Sequence, residues 1–126
     1  GHDVGSEIIL KKINSFIKLE PNAFFIKSFK TNEFISMMYH ADCMIGNSSS
    51  GIIEAPTLNL PVINLGKRQD GRLRSKNIVD SSFKILDLKK NISKSLKNRR
   101  KIKNINVYYK KKSLDNIIKL LNKDYL

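Results

Sequence analysis

The stretch Met44-Ile45-Gly46-Asn47-Ser48-Ser49-Ser50-Gly51-Ile52-Ile53-Glu54-Ala55-Pro56 constrains this chain more than any other, because it changes backbone type twice in a few residues. Cys43-Met44-Ile45 is short, apolar and suited to a buried strand. Gly46 and Asn47 interrupt it with residues that accept unusual backbone angles. Three serines follow, each a candidate cap for the helix begun by Gly51-Ile52-Ile53-Glu54-Ala55. A Gly- and Ser-rich turn at a helix start offers N–H and hydroxyl donors beside the positive end of a dipole, which suits a phosphate or diphosphate. It suits a well-capped helix after a core strand equally, and the pattern alone leaves both readings open. Ser50 and Glu54 stand four apart, outside capping-box spacing, so the glutamate is free for another role such as accepting from a ribose diol.

The rest of the chain alternates helix and strand around this turn. Ile8, Ile9, Ile13, Phe16 and Ile17 mark a helical stripe between Ser6 and Leu19, with Asp3 and Ser6 as candidate caps. Glu20-Pro21-Asn22 reads as a turn and Ala23-Phe24-Phe25-Ile26 as a buried strand. Thr31 opens a second helix through His40, with Phe34, Ile35, Met37 and Met38 apolar. After the serine turn a short helix is expected to end near Leu58-Asn59, followed by the strand Pro61-Val62-Ile63-Asn64-Leu65. Asn77 to Asp80 and Lys84-Ile85-Leu86 are weaker strand candidates, and Ile92 to Ile102 and Leu114 to Leu121 read as helices. Alternation at this pitch predicts an α/β fold, a parallel sheet flanked by helices. The loop from Gly66 to Arg74, rich in glycine and arginine, then leaves the carboxyl end of a strand, on the same edge as the serine turn. In open parallel sheets ligands bind at that edge.

With 126 residues, 40% of them apolar, the chain has the size and core of one domain. No apolar run reaches membrane-spanning length, and the start lacks a charged segment followed by an apolar one, so no membrane partner and no signal peptide are expected. Gly1-His2 reads as a cloning remnant and is set aside. Cys43 is the single cysteine and falls in an expected strand, which fits a reducing cytoplasm and argues against thiol chemistry. No metal-ligand cluster and no nicotinamide fingerprint appear, and no cofactor is expected. The net charge of +13 comes from nineteen lysines and five arginines against eleven acids, a bias typical of an AT-rich genome. Eleven of those basic residues lie between Lys89 and Lys112 without one acid. A nucleic-acid partner would use such a stretch, but only Tyr108-Tyr109 offers stacking there, so a solvated helix surface is the favoured reading.

Gly46 to Pro56, followed by Leu60-Pro61-Val62-Ile63-Asn64-Leu65-Gly66-Lys67-Arg68-Gln69 and Gly71-Arg72, resembles the hydrolysing UDP-N-acetylglucosamine 2-epimerases of sialic acid and related nonulosonate pathways. The similarity runs from Asp3-Val4-Gly5 through Asn22-Ala23-Phe24-Phe25 to Asn77-Ile78-Val79-Asp80, and the serine turn with the Gly-x-Arg-Gln loop resembles the hydrolysing branch. The resemblance implies the glycosyltransferase-B architecture, two Rossmann-like halves with the active site between them. Residues 3–126 would be a partial C-terminal UDP-binding domain, lacking the N-terminal domain and its catalytic carboxylates, so no catalytic residue is assigned to this chain. The tail departs, with Asn106-Val107-Tyr108-Tyr109-Lys110 where the family carries an Asn-Pro-Tyr-Gly-like segment.

The same resemblance implies roles residue by residue. Ser48 and Ser49 match the pair that binds the nucleotide's phosphates, Glu54 the ribose-binding carboxylate, Arg68 the arginine that approaches the diphosphate, and Phe34 an aromatic that packs on uracil. Phe34 also sits on the apolar stripe of its helix and fits ordinary core. Arg72 and Arg74 are candidate supporting cations. The implied reaction converts UDP-N-acetylglucosamine, or a close analogue, to N-acetylmannosamine and UDP, by anti elimination of UDP to a 2-acetamidoglucal and addition of water. A nucleotide-sugar glycosyltransferase of the same architecture and a basic nucleic-acid-binding module are the alternatives. In the doubly wound strand order the opening strands of the half are missing, so the strand before the serine turn would have a free edge and the chain is expected to form homo-oligomers.

Overall fold

The computed structural model describes residues 4–98 together with Lys119 and Leu121. The chain divides into two compact units, residues 1–30 and 31–126. The first contains α1 (Val4–Leu19). Ser6 lies inside this helix rather than capping it, and the expected stripe is largely solvent-facing: Ile8, Ile9 and Phe16 are exposed while Ile13 and Ile17 are half-buried. Ala23-Phe24-Phe25-Ile26 forms no strand, and Phe24 is 84% exposed. This corrects the expectation of a buried strand. An apolar run becomes a strand only where a neighbour supplies backbone partners, and the described sheet does not extend to it.

The second unit follows the expected alternation: α2 (Thr31–His40), β1 (Met44–Gly46), α3 (Ser49–Ile53), β2 (Val62–Leu65), β3 (Ile78–Ser81) and α4 (Ile85–Asn98). The described sheet has the order β1-β2-β3, all parallel, with Met44 opposite Val62 and Val62 opposite Ile78. Met44, Val62 and Ile78 therefore share one face. They pack with Ile35 and Met38 of α2, with Ala55 and Leu60 from the segment after α3, and with Leu121. Ile45, Ile63 and Val79 form the other face, and α4 packs against β2 and β3. Lying between two strands and between two helical layers, β2 is buried at three successive positions, Val62, Ile63 and Asn64.

Lys84-Ile85-Leu86, a strand candidate, instead opens α4. Ser82 decides this: its hydroxyl accepts from the Lys84 N–H at 3.2 Å and donates to the Asp87 carboxylate, so a side-chain cap closes the first turn. The predicted helix at 92–102 is thus observed with an earlier start, while its last residues and the helix expected over 114–121 lie largely outside the described residues. Past α3 the chain continues in turns to Asn59, whose φ of +58° is the left-handed conformation asparagine tolerates, close to the end expected at Leu58-Asn59. No helix among the described residues is long and apolar enough to cross a membrane.

Gly51 sets the distance between α3 and the sheet. A Cβ built there would lie 2.9 Å from Val62 Cγ1, closer than carbon atoms pack. Gly51→Ala is expected to lower unfolding free energy by about 1–3 kcal/mol through overpacking. Urea denaturation checks it, and the loss should shrink when Val62→Ala is added.

Candidate functional site

The serine turn and the arginine loop leave the carboxyl ends of adjacent, in-register strands, with Gly46 opposite Asn64. Gly46 takes φ +153°, a conformation that favours glycine, and nothing stands within 4 Å of where a Cβ would project. Ser48 is the cap of α3: extended at φ −70° and ψ 141°, it accepts the Ser50 N–H on Oγ at 3.2 Å. Its carbonyl takes the Gly51 N–H at 3.2 Å. A serine hydroxyl carries one donor besides its acceptor lone pairs, so capping leaves the Ser48 O–H available, and no acceptor among the described residues takes it. Ser49, half-buried, begins the helix. At five residues α3 has a short dipole, so the donor character of this turn rests on its hydroxyls.

Glu54 closes α3. Its backbone N–H donates to the Ser50 carbonyl at 3.1 Å, and its side chain is half-buried, with no ion pair among the described residues. Arg68 is exposed and likewise carries no described ion pair. The loop bearing it is wound into two consecutive turns, Asp70 N–H to the Lys67 carbonyl at 3.0 Å and Arg72 N–H to the Gln69 carbonyl at 3.2 Å. Phe34 is packed, half-buried, against the Ile35, Met38 and Ala55 cluster, which joins it to the residue after Glu54.

Of the two further arginines, Arg74 is not a free cation. Its Nε pairs with Asp80 at 3.2 Å, and its Nη1 donates to the carbonyls of Gln69, at 2.8 Å, and of Arg72. Asp80 in turn accepts from Asn64 Nδ2 at 2.7 Å. Asn64 is 2% exposed, and the parallel register places it directly opposite Asp80. Gln69 is 3% exposed and its Nε2 donates to the Asn47 carbonyl at 2.9 Å, joining the loop after β2 to the turn after β1. Asn64, Gln69 and Asp80 carry no role in the sequence pattern by itself. One signal was legible: a polar residue inside the apolar run Pro61 to Leu65 needs a partner.

The second unit is thus a Rossmann-like α/β sheet with hydroxyl donors and an exposed guanidinium at its carboxyl edge. The family profile described as UDP-N-acetylglucosamine 2-epimerase matches residues 1–122, and the chain belongs to that family. It is 38% identical over 119 residues to the UDP-N,N'-diacetylbacillosamine 2-epimerase (hydrolyzing) of Legionella pneumophila, covering 94% of this chain and 31% of that protein. It is 33% identical over 133 residues to the polysialic acid biosynthesis protein P7 of Escherichia coli, covering 98% of this chain and 34% of that one. Over a 57-residue stretch it is 53% identical to the GDP/UDP-N,N'-diacetylbacillosamine 2-epimerase (hydrolyzing) of Campylobacter jejuni, 45% of this chain and 15% of that protein. The chain spans about a third of the length of the first two relatives.

Asp80 should matter more than its exposed ion pair suggests, since pairs at the surface contribute little. Asp80→Ala removes the acceptor of buried Asn64 and is expected to cost about 1–3 kcal/mol. Adding Asn64→Ala should recover part of that loss in chemical denaturation, because the stranded donor goes with it.

Proposed function

We propose that this chain is the UDP-binding part of a hydrolysing UDP-sugar 2-epimerase. The observation that carries this reading is the shared edge: the serine turn after β1 and the Arg68 loop after β2 leave neighbouring parallel strands on one side. Within a chain of this family, that edge supports a diphosphate held by Ser48, Ser49 and Arg68, with Glu54 on the ribose and Phe34 against uracil. Guanidinium and hydroxyl donors suit phosphate oxygens, and charge-assisted bonds to them are the strong ones.

The whole enzyme would act on UDP-N-acetylglucosamine or a close analogue, such as the UDP-N,N'-diacetylbacillosamine for which the Legionella relative is named. With UDP-N-acetylglucosamine the products would be UDP and N-acetylmannosamine. When UDP departs, negative charge develops on the diphosphate. Donors already in position stabilise that charge without rearranging. The acid–base carboxylates would come from outside the third of the enzyme that this chain represents. A purified sample of this chain is therefore expected to leave UDP-N-acetylglucosamine unconverted, and release of N-acetylmannosamine that Ser48→Ala abolishes would overturn the division of labour.

Binding is the direct test. UDP is expected to bind, UMP more weakly and uridine more weakly still, with Arg68→Ala and Ser49→Ala each costing about 1–3 kcal/mol of UDP affinity. Calorimetric titrations that give uridine and UDP equal affinity would remove the phosphate role. Assembly is a separate expectation. β1 ends the described sheet, and its free edge would pair with a second copy of the chain. Sedimentation at micromolar concentration should show a dimer or larger species, and a monodisperse monomer would refute it.

A further inference from the structure

We infer that Gln69 is the positioning residue of this site: its buried carboxamide locks the Arg68 loop onto the serine turn, so that Arg68, Ser48 and Ser49 meet a diphosphate as one preset group of donors. The inference rests on the diphosphate reading above and adds to it the residue that sets the site's geometry.

Gln69 lies between two exposed charged residues, Arg68 and Asp70, yet is itself only 3% exposed. A surface loop does not bury a primary amide without a partner to hold it. The partner is the Asn47 carbonyl, 22 residues upstream, which accepts from Gln69 Nε2 at 2.9 Å. Asn47 immediately precedes Ser48 and Gln69 immediately follows Arg68. A single hydrogen bond therefore fixes the spacing between the hydroxyl donors and the guanidinium-bearing backbone.

The far side of the loop is anchored too. The Gln69 carbonyl accepts from Arg74 Nη1 at 2.8 Å and from the Arg72 N–H at 3.2 Å. Arg74 is held by Asp80 of β3, and Asp80 by Asn64 of β2. The loop is thus tied to the sheet at one end and to the serine turn at the other. Gln69 Oε1, moreover, is buried and meets no donor among the described residues. Stability alone is better served by an apolar side chain than by a half-satisfied buried amide. The described hydrogen bond of the carboxamide is the one from Nε2 to the Asn47 carbonyl. Its chemistry is also specific: glutamate would set a carboxylate against the Asn47 carbonyl, and asparagine is one methylene shorter.

The test is a double-mutant cycle read by calorimetric titration of UDP and of uridine into the full chain. Gln69→Met keeps the volume and removes the donor. In the native background Arg68→Ala should weaken UDP binding about tenfold. In the Gln69→Met background the same change should weaken it by less than about threefold, because a freed loop no longer presents the guanidinium. Gln69→Met itself should reduce UDP affinity while uridine affinity stays unchanged, which a general loss of structure would not do. If Gln69→Met fails to fold, Gln69→Asn keeps the amide but is one methylene short of the Asn47 carbonyl, and the cycle is run with it. A folded variant in which Arg68 keeps its full tenfold effect overturns the positioning role and leaves the diphosphate reading standing. A native chain that binds UDP no better than uridine removes that reading, and the inference falls with it.

Discussion

Burial of β2 on both faces is the condition on which the rest of the second unit depends. Val62, Ile63 and Asn64 are 3%, 0% and 2% exposed, so every polar group on that strand must find its partner within the protein. The backbone is satisfied by strands on both sides. The Asn64 side chain is satisfied by Asp80, which the parallel register brings opposite it. That one polar pair, set at the carboxyl end of an otherwise apolar strand, then recruits Arg74 and through it the carbonyls of Gln69 and Arg72. The loop that carries Arg68 is shaped by bonds that originate in the sheet.

The serine turn is held by a different mechanism on each side. Below it, Gly51 lets α3 approach Val62 more closely than any side chain would allow. Within it, Ser48 uses an acceptor lone pair to close the first turn of α3. Across from it, Gln69 holds the Asn47 carbonyl. With its acceptor lone pair engaged by the Ser50 N–H, Ser48 still carries a hydroxyl proton that no described residue accepts. Helix dipole contributes little in a five-residue helix, so an anion at this edge would be held chiefly by hydroxyls and guanidinium.

Ala23 to Ile26 and Lys84 to Leu86 depart from their expected strands for a common reason. Ala23-Phe24-Phe25-Ile26 has the composition of a buried strand, but composition carries no information about whether a neighbouring strand is present to pair with it. Lys84-Ile85-Leu86 is too short for its period to be read, and the Ser82 hydroxyl settles it as helix through bonds to Lys84 and Asp87. Arg74 shows the same limit in the site. Three arginines in one loop look alike as cations, and only the position of Asp80 separates the paired one from Arg68.

By itself the sequence determined the alternation of helix and strand in the second unit, the parallel sheet, the strand–turn–helix at Gly46 to Gly51 and the family. These follow from local signals, apolar runs of strand length, glycine and serine at a turn, and a motif long enough to be specific. Only the tertiary structure decided which serine caps α3, why residue 51 is glycine, and that Gln69 turns inward between two exposed neighbours. Each of those depends on an atom far away in the chain or on a geometry that several serines could equally adopt. The Asn47 carbonyl that Gln69 reaches is 22 residues distant, and its position exists only once β1 and β2 have paired.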